Sequence, residues 1–177
     1  MIIQSKHISL GEIREEDLET FFAYRSDEEL LKYQNFKLNS IEEALAFIKA
    51  QQKVELGGTQ EWKQLGIYDK SGKLVGDCAL KCHEHEARIA EIGITIASAY
   101  HRKSYAYHGL SALINHAFIE LKLHKIVAEV DVRNKASQRL MNKLGFELEG
   151  QFKSHYWDAH LKEWFDEYHY GLVNPKH

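Results

Sequence analysis

The stretch that most narrows the folds open to this chain is residues 90–121, AEIGITIASAYHRKSYAYHGLSALINHAFIEL. Ile92, Ile94 and Ile96 form an extended apolar run, and a short loop, HRKSYA, follows it. Leu110, Leu113, Ile114, Ala117, Phe118 and Leu121 then recur at intervals that mark one face of a helix. A strand entering a helix in this way calls for a second, parallel strand reached by a right-handed crossover, and KIVAEVD at 125–131 supplies it. The loop has a chemical consequence as well. Several backbone N–H groups at a helix start lack partners, and the helix dipole favours anions there, so a phosphate would sit at this point.

The remaining segments read outward from that unit. HISLGEI at 7–13 reads as a first strand. Leu18, Phe21 and Phe22 mark one helix and Leu30, Leu31 and Tyr33 a second, with a break at Ser26 and Asp27. Ser40 and Glu43 are spaced as a capping box for a third helix through Ile41, Ala44, Leu45 and Ile48, with its end marked by Gly57 and Gly58. WKQLGIY, the turn DKSG and KLVGDCALKC form a hairpin pattern; Lys135–Leu144 is a helix begun by Asn134; FELEGQFKSHYWD and EWFDEYHYGLV close the chain as an aromatic-rich hairpin. The order implies an α+β (mixed α/β) fold, a central sheet with helices on both faces. With 177 residues and 44% hydrophobic content, one domain over 1–173 and a short tail at 174–177 are expected.

Composition excludes some partners. Net charge is −3 without a lysine or arginine cluster, so duplex nucleic acid and anionic membranes are not expected to bind directly. No run approaches a membrane span or a secretory signal, and a cytoplasmic protein is expected. Cys78 and Cys82 fall on one face of a strand with Leu80 between them, too close along it to bridge readily; with His83 and His85 they could be taken for a metal cluster, but the histidines lie in a polar link and no metal is expected.

From Tyr100 to Ala106 the loop resembles the acetyl-CoA loop of the GNAT superfamily of N-acetyltransferases, Q/R-x-x-G-x-G/A, with His101 and Ser104 in place of its first two signature residues. Asn134-x-x-Ser137-x-x-Leu140-x-x-Lys143-Leu144-Gly145-Phe146, then Glu149-Gly150, resembles the last helix and its exit in the ribosomal-protein-alanine and spermidine acetyltransferase branch. AEIG at 90–93, AFIELKLHKI, and WFDEYHYGL with Asp166 on a recurring aspartate extend the resemblance over essentially the whole chain. It implies a single-domain GNAT-like fold with a mostly antiparallel mixed sheet, in which strands 90–96 and 125–131 splay apart around acetyl-CoA. Backbone groups of Ile94, Thr95 and Ile96 would hold the cofactor like a neighbouring strand. His101, Arg102, Lys103, Ser104, Tyr105 and Ala106 would take its pyrophosphate, and Asn134 its pantetheine arm. Asn134 is equally a good N-cap in its own right.

The same resemblance implies acetyl transfer to a primary amine, a protein N-terminus or a small amine such as a polyamine, by direct attack in a ternary complex. Glu91 is the candidate base, unless it simply pairs with a neighbour such as Arg88, and Glu91→Gln is expected to lower turnover most at low pH. Many relatives carry a tyrosine seven residues after the asparagine; Met141 stands there and cannot donate a proton, so Ser137, one turn after Asn134 and assigned with it to the cofactor, is the nearest substitute, with water as the alternative. The alternative is a non-catalytic acyl-CoA-binding or regulatory module on the same fold. A homodimer is expected from the relatives. Ser104 is expected to be tolerated because φ is negative in the first turn of a helix.

Overall fold

The computed structural model describes residues 2–176; Met1 and His177, the outer ends of the expected domain and tail, lie outside it. Among these residues eight strands form one sheet: β1 (Ile2–Gln4), β2 (Ser9–Gly11), β3 (Lys63–Tyr68), β4 (Leu74–Cys82), β5 (Ile89–Ile96), β6 (Lys125–Asp131), β7 (Glu147–Asp158) and β8 (Glu163–Val173), in the order β1-β2-β3-β4-β5-β6-β8-β7. The α-helices are α1 (Leu18–Arg25), α2 (Ile41–Gln51), α3 (Tyr105–Ile119) and α4 (Lys135–Lys143). Neighbouring strands run antiparallel except β5 and β6, which are parallel.

The middle of the sheet is covered on both sides, and the sequence shows why. Strand β3 is buried at every position and β4 at all but Lys81, so neither can alternate apolar with polar residues. On one side Leu110, Leu113, Ile114 and Ala117 of α3 pack with Leu65, Ile67, Cys78, Leu80, Ile92 and Ile96. On the other, Phe21 and Tyr24 of α1 and Ala44 and Ile48 of α2 pack with Ile13, Leu38, Tyr68 and Leu74. Each large apolar side chain buried this way contributes about 1.5–3 kcal/mol. Helix α3 comes close to the sheet at Gly109, where a Cβ would lie 2.7 Å from Ile67 Cδ1. That approach holds α3 against β3, and the short connection from Ile96 to Tyr105 keeps its start near the end of β5.

Strands β5 and β6 pair only over Ile89–Glu91 and Lys125–Val127. Beyond that point β5 stays with β4 as far as Ile96, while β6 stays with β8 as far as Asp131. The two strands therefore fork at Glu91, as expected for a splayed pair. Glu91 and Thr95 are in register with Lys81 and Asp77 and share one face of the sheet; Ile92, Ile94 and Ile96 take the other, towards α3.

Several local readings are corrected. The segment expected to be a second helix, around Leu30, Leu31 and Tyr33, is a series of turns, begun by Asp27 accepting from the Leu30 and Leu31 N–H groups. Asp and Ser hydrogen-bond to nearby backbone in competition with helix, and here they prevail. The first strand is shorter than 7–13, and β1 precedes it. Ser40 caps α2 as expected by accepting from Glu43 N–H, but the Glu43 carboxylate reaches Asn39 N–H, one residue ahead of the cap.

Candidate active site

Two clefts meet at the fork. The first, about 640 Å³, lies between the separated halves of β5 and β6 and the β7–β8 hairpin. The second, about 860 Å³, runs from Ile94, Thr95 and Ile96 to the start of α3 and along α4. Tyr33, Gln34, Ile94, Asn134 and Ser137 line both, so any group passing from one to the other passes these five residues.

The second cleft is built for an anion at its α3 end. The first helical hydrogen bond of α3 runs from His108 N–H to the Ser104 carbonyl at 3.0 Å, so the N–H groups before it have no intrahelical acceptor. His101 Nε2 lies 2.7 Å from the Ile96 carbonyl and pins the loop to the end of β5. Arg102 and Ser104 both adopt left-handed backbone, with φ of 61° and 62°. Alternating backbone of this kind turns successive N–H groups inward and makes a concave anion cradle. This overturns the expectation of a negative φ at Ser104: that residue is the N-cap of α3, outside its first helical turn, and its side chain makes no capping hydrogen bond. Arg102, Arg139 and Lys143 line the cleft with positive charge. Lys103, expected beside them, has its ammonium 5.4 Å from the Tyr100 ring centre and is not on the wall.

At the other end Asn134 Oδ1 accepts from Ser137 N–H at 3.1 Å and caps α4, which leaves the amide Nδ2 unused by the cap. Ser137 brings its side chain to the junction on the same turn. Met141, 3% exposed, lies with Leu110 in the apolar floor of the fork. Thr95 is buried with its hydroxyl donating to Gln34 Oε1, so at this position only the main chain is left for a ligand.

Glu91 stands where β5 and β6 part. Burial, reinforced by the nearby Glu129 and Glu167 carboxylates, pushes its carboxyl up to about 7. Arg88 does not relieve it, because its guanidinium is held by Glu86 at 2.7 Å. Facing Glu91 across the cleft, Glu129, His155 and Glu167 each place a polar atom within 4.8 Å of the others, and His155 Nδ1 lies 2.7 Å from Glu167 Oε2. That contact raises the imidazole above its usual pKa, whereas burial raises Glu167. Trp62, Tyr33, Phe36, Tyr156, Trp157 and Trp164 complete the wall. Arg133 gathers it: its guanidinium bonds Asp131 at 2.9 Å and Asp158 at 3.0 Å and lies 3.2 Å over the Phe165 ring.

The chain matches the family model described as Acetyltransferase (GNAT) domain over residues 7–147. It belongs to the GNAT acetyltransferase family. This N-acetyltransferase is 29% identical over 176 residues to the uncharacterized N-acetyltransferase YnaD of Bacillus subtilis (strain 168), covering 99% of each chain. Among solved structures it resembles a GNAT-family acetyltransferase from Bacillus anthracis, with a TM-score of 0.84, 27% identity and coverage of 98% of this chain and 99% of that one. At 20% identity, the spermidine N-acetyltransferase of Vibrio cholerae in complex with CoA and spermine gives a TM-score of 0.82, covering 97% and 98%. The ribosomal-protein-S5-alanine acetyltransferase of Vibrio fischeri, at 19% identity, gives 0.83, covering 99% and 97%. These last two share its fold.

The acetyltransferase thus gathers Glu91, Ile94, Thr95, Ile96, Asn134, Ser137 and, Lys103 excepted, the loop from His101 to Ala106 around the two clefts that meet at the fork. Other residues of those clefts escaped sequence reasoning. Tyr33 and Gln34 sit in a segment read as helix, and Glu129 and Glu167 occupy ordinary alternating positions on β6 and β8. Asp166, singled out by resemblance, accepts from Ser154 N–H and Gln151 Nε2 and so holds the irregular part of β7. Cys78 and Cys82 are free and buried in the core beside α3. Among the described residues no helix is long and apolar enough to cross a membrane.

Proposed function

We propose that this N-acetyltransferase, one domain over residues 1–173, transfers the acetyl group of acetyl-CoA to a primary amine that carries further positive charge, a small polyamine being the best fit, by direct attack in a ternary complex. The observation that carries the reading is the position of Glu91: a carboxyl pushed up to about 7, at the fork, in a cleft walled by acids and aromatic rings that adjoins a cleft suited to a diphosphate. Carboxylates and ring faces both attract ammonium groups. The spermidine and ribosomal-protein-S5-alanine acetyltransferases that share the fold name the two acceptors to be compared, and the acidic, aromatic wall favours the first.

The residues suit the cofactor. Acetyl-CoA brings an activated thioester, and its transfer to R–NH₃⁺ gives R–NH–CO–CH₃, the free thiol and one proton. The N–H groups from Arg102 to Ala106, with Arg102, Arg139 and Lys143, would hold the diphosphate; Asn134 Nδ2 would hold the pantetheine arm. Backbone groups of Ile94, Thr95 and Ile96 face the open edge that β6 has left. Glu91, ionised above pH 7, would take the proton that makes the amine nucleophilic. Ser137, at the junction, would supply a proton to the departing sulfur. Tyr33, at the same junction, is a second hydroxyl of the right kind.

Release of free thiol from acetyl-CoA, measured with spermidine, spermine, a monoamine and an alanine-starting peptide, tests the reading. Turnover should be fastest with the polyamines. Equal or faster turnover of the peptide would reassign the acceptor, and absence of thiol release with every amine would overturn the proposal.

A further inference from the structure

Gln34 is held in an unusual way. Its Oε1 accepts from two buried donors at once, Arg25 Nη1 at 3.2 Å and Thr95 Oγ1 at 2.9 Å. Arg25 is 2% exposed and anchored in turn by Asp77, which also accepts from Tyr24 and Gln64. A guanidinium only donates, so the amide cannot be turned over: the oxygen must face Arg25 and the NH₂ must face away. The NH₂ group has no partner among the described residues. Gln34 lines both clefts, and its bond to Thr95 places it on the Glu91 face of β5, the face of Gly93, where an added Cβ would meet nothing within 4 Å. A donor with a fixed direction is therefore presented at the point where the two clefts join.

We infer that Gln34 Nε2 donates a hydrogen bond to the carbonyl oxygen of the acetyl group and stabilises the negative charge that gathers there during transfer. This rests on acetyl-CoA binding as proposed above. The chemistry favours that oxygen over the acceptor, because an ammonium is itself a donor and gains nothing from an NH₂ group. A donor held in place by buried partners needs no reorganisation as the charge develops, which is the condition under which such bonds accelerate acyl transfer most. The network Asp77–Arg25–Gln34–Thr95 then positions a catalytic amide in addition to tying the turns at 28–36 to the sheet.

A purely structural role for Gln34 makes a different prediction, and Gln34→Glu separates the two. The glutamate keeps an acceptor for Arg25 and Thr95 but loses the donor; Gln34→Met, of similar length and uncharged, loses both. The wild type and both variants would be compared by thermal melting, by calorimetric titration with acetyl-CoA, by kcat and KM, and by isotope-edited infrared spectra of bound [1-¹³C]acetyl-CoA. With Gln34→Glu, melting should be unchanged or raised and acetyl-CoA affinity should stay within about threefold. Its kcat should fall on the order of 100-fold, the usual effect of losing an oxyanion donor. In both variants the bound carbonyl band should move to higher wavenumber than in the wild type. An unshifted band, or a Gln34→Glu enzyme with wild-type kcat, overturns the inference while leaving the proposed function standing. A wild type that neither binds acetyl-CoA nor releases thiol overturns both.

Discussion

Replacing Glu91 by glutamine keeps the shape of the side chain and removes its charge, and its effect on stability should depend on pH in a defined way. In the unfolded chain the carboxyl ionises near its usual 4.5; in the folded protein burial, with Glu129 and Glu167 nearby, holds the proton to about 7. Between these values the folded state binds more protons than the unfolded one, so the contribution of Glu91 to stability is fully present below pH 4.5 and is lost as pH rises through 7. Moving the carboxyl from 4.5 to about 7, at 1.36 kcal/mol for each tenfold change in proton affinity, makes at most about 3 kcal/mol. Glutamine does not titrate, so Glu91→Gln should melt with the wild type at pH 4.5 and above it at pH 8, by up to about 6–12 °C for a chain of this size. Activity should show the converse. Below pH 6 the wild-type carboxyl is already protonated and the two enzymes should converge; the deficit of the variant should be largest between pH 7 and the pKa of the acceptor amine, about 8 to 10.4. The sequence alone suggested the largest deficit at low pH, and the raised pKa reverses that. Melting scans and thiol-release rates from pH 5 to 9 decide it. A melting difference that does not vary with pH would refute the account of Glu91.

Three further outcomes follow from the geometry. Ser104→Gly should stabilise the protein by up to about 1 kcal/mol, read by melting, because a left-handed serine is strained and glycine is not, less the greater freedom of glycine when unfolded. Since the strain is already present before ligand binds, calorimetry should show acetyl-CoA affinity changed by less than about tenfold; a larger gain would show the natural loop to be impaired. Asn134→Ala should lower stability by about 1 kcal/mol through loss of the α4 cap and should also weaken acetyl-CoA binding, whereas Asn134→Ser should restore stability without restoring affinity. Arg25→Met leaves Asp77 buried without its cation and should destabilise by about 3–5 kcal/mol in denaturant titration; a change below 1 kcal/mol would show the pair to be dispensable.

What the sequence determined by itself is local. The alternation of Ile92, Ile94 and Ile96, the apolar face from Leu110 to Leu121 and the Asn134 cap each depend on residues a few places apart, and the strands, helices and turn that they predict over 62–82 and 90–173 all form. The segment at 28–36 failed for the same reason: its apolar residues are spaced like a helix, but what holds it in turns includes Gln34 on Arg25 and Thr95, the latter sixty-one positions away. The left-handed backbone at Arg102 and Ser104 was likewise hidden, because neither residue type announces it. Only the tertiary structure decided the chemistry of the site. Glu91, Glu129 and Glu167 are unremarkable strand positions until β5, β6 and β8 bring them to one cleft, where burial and mutual repulsion, which depend on distance in space and not along the chain, turn an ordinary carboxyl into a candidate base near neutral pH.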